Sequence, residues 1–398
     1  MTRSVLFHVQ YLLGIGHLQR SLRIADALAG DGIAVTLVCG GAPVALPMHK
    51  SVRFVQLTPV RSRDAGFALV DSAGTPIDDG VRDERRAALL AAFAEARPDA
   101  VVIEGFPFAR RAFRFELDPL IAATHAAPKR PRLICSVRDI VAMRDDPQRH
   151  RETVERVRRD FDAVLVHGDA AFLALDASFP AAPAIADRLI YTGYIAPPAE
   201  PGGARGSDAD EVVVSVGGGA AGHALLRTAL AARRSGCLAE RPWRLLAGAN
   251  LPEADFAALR ADAPEGVVIE RFRHDFGALL RGCRVSVSQA GYNTVLDILA
   301  ARARAVLVPF AAQRETEQLV RAERLAALGA VELVRESELS AETLAAAILR
   351  AARREPSPLA IDTDGAARSA RIIAALIRPG DPDSGGFVAG LSGSIIGR

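Results

Sequence analysis

Three stretches of the sequence set glycines beside residues that can move a proton or hold an anion. The first is Leu13-Gly14-Ile15-Gly16-His17-Leu18-Gln19-Arg20. Gly14 and Gly16 ahead of a helix let backbone amides approach an anion at the helix N-terminus. The imidazole of His17 at that start can serve as general base or acid. Arg20 falls about one turn on, along the same helix face. The competing reading is a capping or packing histidine and a solvated arginine. The second stretch is Gly217-Gly218-Gly219, directly after Val212–Val216. Strand, glycines, helix is a phosphate-cradling order, although no Gly-Lys-Ser/Thr follows.

The third stretch is the richest. It runs Gln289-Ala290-Gly291-Tyr292-Asn293-Thr294-Val295-Leu296-Asp297 and continues, after another apolar run, to Glu317-Gln318. Gly291 leaves room where strand becomes helix. Asn293 and Thr294 are expected to cap that helix and to offer amide, hydroxyl and N–H groups to a phosphate. One turn later Asp297 can accept both hydroxyls of a ribose diol. Glu317 and Gln318 can read sugar hydroxyls. A strand also ends at Glu104, a second candidate for the base. The run Glu104-Gly105-Phe106-Pro107-Phe108-Ala109-Arg110-Arg111-Ala112-Phe113-Arg114-Phe115 mixes aromatics with arginines. It could dock an acceptor or touch a membrane surface, or else pack its aromatics and leave its arginines in water. Arg138-Asp139 closes another strand and points the same way.

The elements that must position these residues alternate. Apolar, strand-like runs are expected at 4–10, 34–39, 52–57, 100–104, 133–137 and 163–166, with helices at about 17–29, 83–97, 109–126 and 149–161. The pattern restarts after a Pro/Gly-rich break. Strands follow at 211–216, 243–247, 267–272, 284–288 and 305–309, and helices at 222–234, 275–282, 293–302, 316–328, 340–353 and 363–377. β-branched runs separated by helices mean a parallel sheet covered on both faces. The expected architecture is α/β with two Rossmann-like lobes facing across a cleft: residues 1–196, a linker at 197–210, a second lobe at 211–378 and a flexible tail at 379–398. In open α/β sheets ligands bind beyond the carboxyl ends of the strands, where these residues fall.

Composition narrows the function. The 398 residues carry 49 basic and 47 acidic side chains, a net charge of +2, which gives no broad basic surface for nucleic acid. Lys50 and Lys129 are the only lysines; the arginine excess is read as genome composition. Cys39, Cys135, Cys237 and Cys283 form no CxxC, and a reduced, cytoplasmic protein fits them. The chain opens straight into a strand without a signal peptide, and no apolar run is long enough to span a bilayer. Dinucleotide binding is disfavoured, because Gln19 replaces the third glycine and the second strand ends Cys39-Gly40-Gly41 without an acid. The Asp-x-Asp pairs (Asp208/Asp210, Asp362/Asp364, Asp381/Asp383) follow no core strand, so no metal is assigned.

The run from Gln289 to Asp297, with Pro309-Phe310 and Glu317-Gln318, resembles the C-terminal nucleotide-sugar-binding lobe of MurG-type glycosyltransferases, family 28 of the GT-B fold. Leu13–Arg20 resembles the first glycine-rich loop of the same family. Together with Glu104–Phe108 and Arg138-Asp139, these motifs resemble the bacterial group known as predicted glycosyltransferases, over most of residues 4–376. The resemblance implies a UDP-linked sugar donor and no cofactor. It implies that Asp297 binds the donor ribose and that Gly291, Asn293 and Thr294 meet the diphosphate. Glu317 and Gln318 would contact the donor sugar, with Gln289 beside them. The backbone around Phe272 and Arg273 would read the uracil edge. Gly217–Gly219 match the family's second glycine loop and His17 its first-loop histidine. The first loop differs from the Gly-Thr-Gly-Gly-His type of the peptidoglycan enzyme, which implies a different acceptor side, built here by Gly14, Gly16, Arg20, Phe106 and Arg138.

The expected function is transfer of a sugar from a nucleoside-diphosphate sugar to an acceptor hydroxyl with inversion and without metal. His17 ranks before Glu104 as base, because a carboxylate needs a raised pKa to serve near neutrality. The acceptor could be a glycan, a lipid or a small molecule, and a peripheral contact with the inner face of the cell membrane is compatible with that. Two alternatives stay open: a UDP-sugar hydrolase of the nonulosonic-acid type, whose Gly-His-x-x-Arg motif Gly16–Arg20 also fits, and a non-catalytic nucleotide-sugar-binding protein.

Overall fold

The computed structural model describes residues 3–12, 15–44, 46–62, 68–141, 146–196, 210–216, 222–248, 251–310, 317–355 and 361–378. The chain divides into two compact units, one of Met1–Ile195 with Asp364–Arg398 and one of Ala196–Thr363.

The first unit begins β1 (Ser4–Val9), α1 (Gly16–Gly30), β2 (Ala34–Cys39) and β3 (Val52–Gln56), then a short hairpin β4 (Arg61–Ser62) and β5 (Leu69–Val70). It continues α2 (Asp79–Ala96), β6 (Ala100–Glu104), α3 (Arg114–Ala126), β7 (Arg132–Arg138), α4 (Pro147–Asp160), β8 (Ala163–His167) and β9 (Leu189–Tyr191). Seven strands form one parallel sheet in the order β3-β2-β1-β6-β7-β8-β9. Both faces are covered, so β6 is buried at every position. Leu18, Leu22, Ala25 and Leu28 recur at helical spacing in α1 and all face the core. Asp78 and Asp146 cap α2 and α4 through their side chains.

The second unit runs β10 (Val212–Ser215), α5 (His223–Arg234), β11 (Trp243–Leu246), α6 (Glu253–Ala261), β12 (Val267–Glu270), α7 (Phe276–Gly282), β13 (Val285–Ser288) and α8 (Tyr292–Ala301). Then come β14 (Ala305–Leu307), α9 (Glu317–Ala327), β15 (Glu332–Leu333) and α10 (Ala341–Arg353). Its six parallel strands lie in the order β12-β11-β10-β13-β14-β15, the doubly wound arrangement. A left-handed Gly329 (φ 68°) follows α9, as its C-terminal glycine predicts.

The last helix, α11 (Gly365–Leu376), departs from expectation. The sequence reading placed it with the second lobe; in the structure it packs on α1 of the first unit. Ile372, Ile373 and Leu376 join the core formed by Leu18, Ile24 and Leu28. Gly365 lets the helix start against the backbone after β9: its amide donates to the Tyr194 carbonyl, and a Cβ there would lie 2.4 Å from the Gly193 oxygen. Of the expected linker only Asp210 is described. Its amide donates to the Gly282 carbonyl and its carboxylate pairs with Arg241, which ties it to the second unit. The expected tail at 379–398 lies outside the described residues.

Candidate functional site

Each sheet reverses its strand order at one point, and ligands of such sheets bind there, beyond the carboxyl ends. In the first unit the reversal lies between β1 and β6. The loop after β1 leads to His17 at the start of α1, and β6 ends at Glu104, so the fold brings together residues far apart in sequence. His17 Nδ1 is 2.6 Å from Glu104 Oε1, and Arg20 Nη2 donates to that same oxygen at 2.6 Å. Glu104 and Arg20 are buried, while His17 keeps about a quarter of its side-chain surface (26%) in the open.

The electrostatics fix the protonation. Burial favours a neutral Glu104, but the charge and hydrogen bond of His17, with Arg20 and Arg110, outweigh it and hold the carboxyl well below its usual range. Burial pushes His17 down from 6.5 to about 4. Glu104 opposes that shift, and Arg138 and Arg20 add to it. A carboxylate only accepts, so the neutral imidazole donates from Nδ1 and leaves the Nε2 lone pair for a proton. Glu104, ranked second as base, is thereby engaged in orienting His17.

A second polar row continues across the sheet. Register aligns Glu104 with Ser136 and Arg138 with His167. Ser136 Oγ lies 2.8 Å from His167 Nε2, and His167 Nδ1 lies 2.9 Å from Thr192 Oγ1. Thr192 donates to the Gly193 carbonyl at 2.9 Å, so it accepts from Nδ1–H, and Ser136 donates to Nε2. Burial holds His167 well below its ordinary value, with Arg20 acting the same way, and it stays neutral. Beneath the β1 loop, buried Arg85 grips Glu116 with two bonds of 2.8 Å, Gln10 with a third and the Gly40 carbonyl with a fourth. Gly40 must be glycine here, because a Cβ would lie 2.0 Å from Gln10 Oε1. Gly40 thus makes room for this hub, and Gly41 for the ring of Tyr11. Sequence reasoning missed both networks; strand-end polar residues at positions 136, 167 and 192 were the available signal.

Several expectations need correction. Phe106 is fully buried, its ring under the Arg156 guanidinium at 5.1 Å, and offers no surface to an acceptor. Phe108 and Phe113 are buried as well, and Phe115 stands half-buried against Phe113, their ring centroids 5.9 Å apart. Arg111 pairs with Glu152, but Arg110 is turned inward, not into water. Asp139 accepts from Tyr194 Oη and the Ile140 amide. Arg138 ends β7, half-buried, on the face of Glu104 and His167. Gly16 opens α1, whereas Gly14 lies outside the described residues.

In the second unit the reversal lies between β10 and β13. Gly217, Gly218 and Gly219, after β10, lie outside the described residues. After β13, Gln289 leads to Gly291, which is the N-cap of α8; no side chain caps the helix. Asn293 and Thr294 therefore stand inside the first turn, because the helix starts at Tyr292, earlier than their capping chemistry suggested. Among the described residues a Cβ on Gly291 would meet Thr294 Oγ1 alone, at 3.9 Å. Ser215 and Ser288 are register partners closing β10 and β13, and each hydroxyl is buried without a hydrogen-bond partner among the described residues. Asp297 stands half-buried one turn along α8.

Gln318 Oε1 accepts from the Ala290 and Phe310 amides, at 3.0 and 3.2 Å, and so joins the loops after β13 and β14; only its NH₂ remains for a sugar hydroxyl. Glu317 accepts from buried Arg321 at 3.0 Å, and Arg321 also donates to the Ala290 carbonyl. After β12, Phe272 is 64% exposed, with His274 edge-on at 4.9 Å, while Arg273 is held by Asp275.

Comparison with known proteins matches residues 213–376 to the glycosyltransferase family 28 C-terminal domain. Among curated proteins, a UDP-N-acetylglucosamine–N-acetylmuramyl-(pentapeptide) pyrophosphoryl-undecaprenol N-acetylglucosamine transferase from Brucella anthropi is 35% identical over 155 residues, 38% of this chain and 38% of that protein. The matched part thus spans well under half of the relative's length. Among solved structures, the calicheamicin glycosyltransferase CalG4 is 19% identical, with a TM-score of 0.60 over 99% of both chains. Acinetobacter baumannii MurG is 16% identical, with a TM-score of 0.53 over 98% of this chain and 99% of that one. At such identities the likeness speaks for the fold, which is that of the GT-B glycosyltransferases. Among the described residues no helix is long and apolar enough to cross a membrane.

Proposed function

From the match of residues 213–376 to the glycosyltransferase family 28 C-terminal domain, we propose that the chain moves a sugar from a UDP-linked donor to an acceptor hydroxyl, with inversion and without a metal. The observation that carries this reading is the His17–Glu104 contact of 2.6 Å at the strand-order reversal of the first unit. His17 Nε2 takes the acceptor proton as the acceptor oxygen attacks the anomeric carbon and the bond to the diphosphate breaks. Glu104 holds the ring in the right tautomer and stabilises the imidazolium that forms. Arg20 keeps Glu104 ionised.

The second unit holds the donor. The leaving diphosphate is stabilised by the uncapped amides at the start of α8, with the hydroxyls of Ser215 and Ser288 at the ends of the flanking strands. Asp297 accepts the ribose hydroxyls, Phe272 and the backbone to Arg273 meet the uracil, and Glu317 with the NH₂ of Gln318 meets the sugar. The relative's printed name, a transferase of N-acetylglucosamine from its UDP form, favours a UDP-linked donor.

Calorimetric titration tests the donor half. UDP is expected to bind equally with and without EDTA. Asp297→Ala should weaken it by about tenfold or more, the worth of a hydrogen-bond pair to a charged acceptor. Equal binding of UDP and its 2′-deoxy analogue to the unchanged chain would remove Asp297 from the ribose site.

A further inference from the structure

His17 rests on Glu104, but the loop that delivers it hangs from a different group. Five residues, 11–15, separate Gln10, just after β1, from the start of α1. Gln10 is fully buried, and both ends of its amide are engaged. Its Nε2 donates to the Tyr11 carbonyl at 2.9 Å and to the Val60 carbonyl at 3.0 Å, and its Oε1 accepts from Arg85 Nη2 at 2.8 Å. The Leu12 carbonyl accepts from the Ser62 amide at 3.5 Å. The start of the His17 loop is thus tied to the segment that leads from β3 into the β4–β5 hairpin.

Arg85 holds the other side of this tie. All five of its N–H groups are used, two on Glu116 of α3, one on Gln10, and one each on the Gly40 and Thr58 carbonyls. Arg85 and Glu116 are both fully buried. A buried ion pair is a weak source of stability, since apolar side chains of the same volume often do as well. A saturated, planar guanidinium instead fixes the positions of the groups around it. The groups it joins here are the carboxyl ends of β1 and β2 and the exit from β3, the edge of the sheet from which His17 is presented. At the opposite edge the pair of Arg130 with Asp162, ahead of β8, lies with its arginine 40% exposed and joins no such loop.

We propose that Arg85 is a positioning residue for His17: through Gln10 it locks the loop after β1 to the Thr58–Val60 segment and so keeps the imidazole seated on Glu104. This deepens the transferase reading, since it rests on His17 as the acceptor-side base. The hub touches neither donor nor acceptor, so its loss lowers the rate of the chemical step and leaves donor affinity alone.

The test is NMR of the full chain, ¹⁵N-labelled at histidine. The His17 signals are assigned from their loss in His17→Gln. In the unchanged chain they should show the proton fixed on Nδ1, where Glu104 accepts it. Gln10→Leu removes both ends of the tie at nearly constant volume, and the signals of the two ring nitrogens should then draw together as the proton divides between them. Arg85→Lys keeps a charge for Glu116 but cannot reach all the other partners, and should give the same change in part. Should one variant fail to fold, the other carries the test. Arg130→Met removes the pair at the far edge and should leave His17 unchanged. Where turnover is followed, kcat in Gln10→Leu should fall about ten- to a hundredfold, with the Kd for UDP unaltered. A proton still fixed on Nδ1 in the folded variants, or an equal change in Arg130→Met, overturns the proposal. The NMR readout needs no sugar turnover, so failure here is distinct from failure of the transferase reading.

Discussion

His17 is uncharged at neutral pH because burial, helped by Arg138 and Arg20, outweighs the attraction of Glu104. That sets the sign of two dependences. The folded imidazole titrates at about 4 and the unfolded one at 6.5, so between those values only the unfolded chain binds the proton. The associated stability is whole above 6.5 and drains away as pH falls through 4; Glu104, depressed as well, acts in the same direction below it. The activity should likewise be flat from neutrality down to about 4 on its acid side and fall below that. Replacing Arg20 by Met removes a charge that lowers His17, so the acid limb should move to higher pH. A pH–rate profile of both proteins checks this; a limb that stays put would detach Arg20 from the setting of the base.

At the scale of elements, α11 holds in place the helix that carries His17 and Arg20. Its docking depends on Gly365, where an added methyl meets backbone and not a yielding side chain. Gly365→Ala should cost about 1–3 kcal/mol, as overpacking does. Gly30→Ala, at the end of α1, meets nothing within 4 Å and should be neutral or mildly stabilising. Urea denaturation compares them, and equal stabilities would deny α11 this role. The pattern of 363–377 reads as a helix in the sequence, but an amphipathic stripe states that a face is buried, not which sheet buries it. Short elements were hidden for a related reason. β9 and β15 have three and two residues, too few to carry a period, and the hairpin β4–β5 is no longer. The long β-branched runs, Ala100–Glu104 and Val212–Ser215, were legible because burial on both faces needs such composition. His17 was legible as a helix-start candidate and Glu104 as a strand-end one. Their pairing was not, since it depends on β6 lying next to β1. Arg110 was hidden by a left-handed turn that no composition rule announces.

At the scale of the molecule, both units repeat one plan, and the candidate residues of each fall at the same point of it, the reversal of strand order. The small net charge of +2 suits anion binding by helix amides, hydroxyls and a few buried arginines, where position and not a broad field does the selecting. The chain leaves the first unit at Ile195 and returns to it at Asp364, joined by a β-bridge between those two residues, so α11 helps to build the unit that bears His17. The claim on which the rest depends is that His17 activates an acceptor for attack on a sugar donor. Time-resolved ¹H NMR of the full chain with UDP-sugars, with and without a panel of hydroxyl-bearing acceptors, tests it most directly. The account predicts acceptor-dependent UDP release, a product of anomeric configuration opposite to the donor, and a rate about 10²- to 10⁴-fold lower in His17→Ala. UDP and free sugar released equally fast without acceptor, or an unchanged rate in His17→Ala, would contradict it.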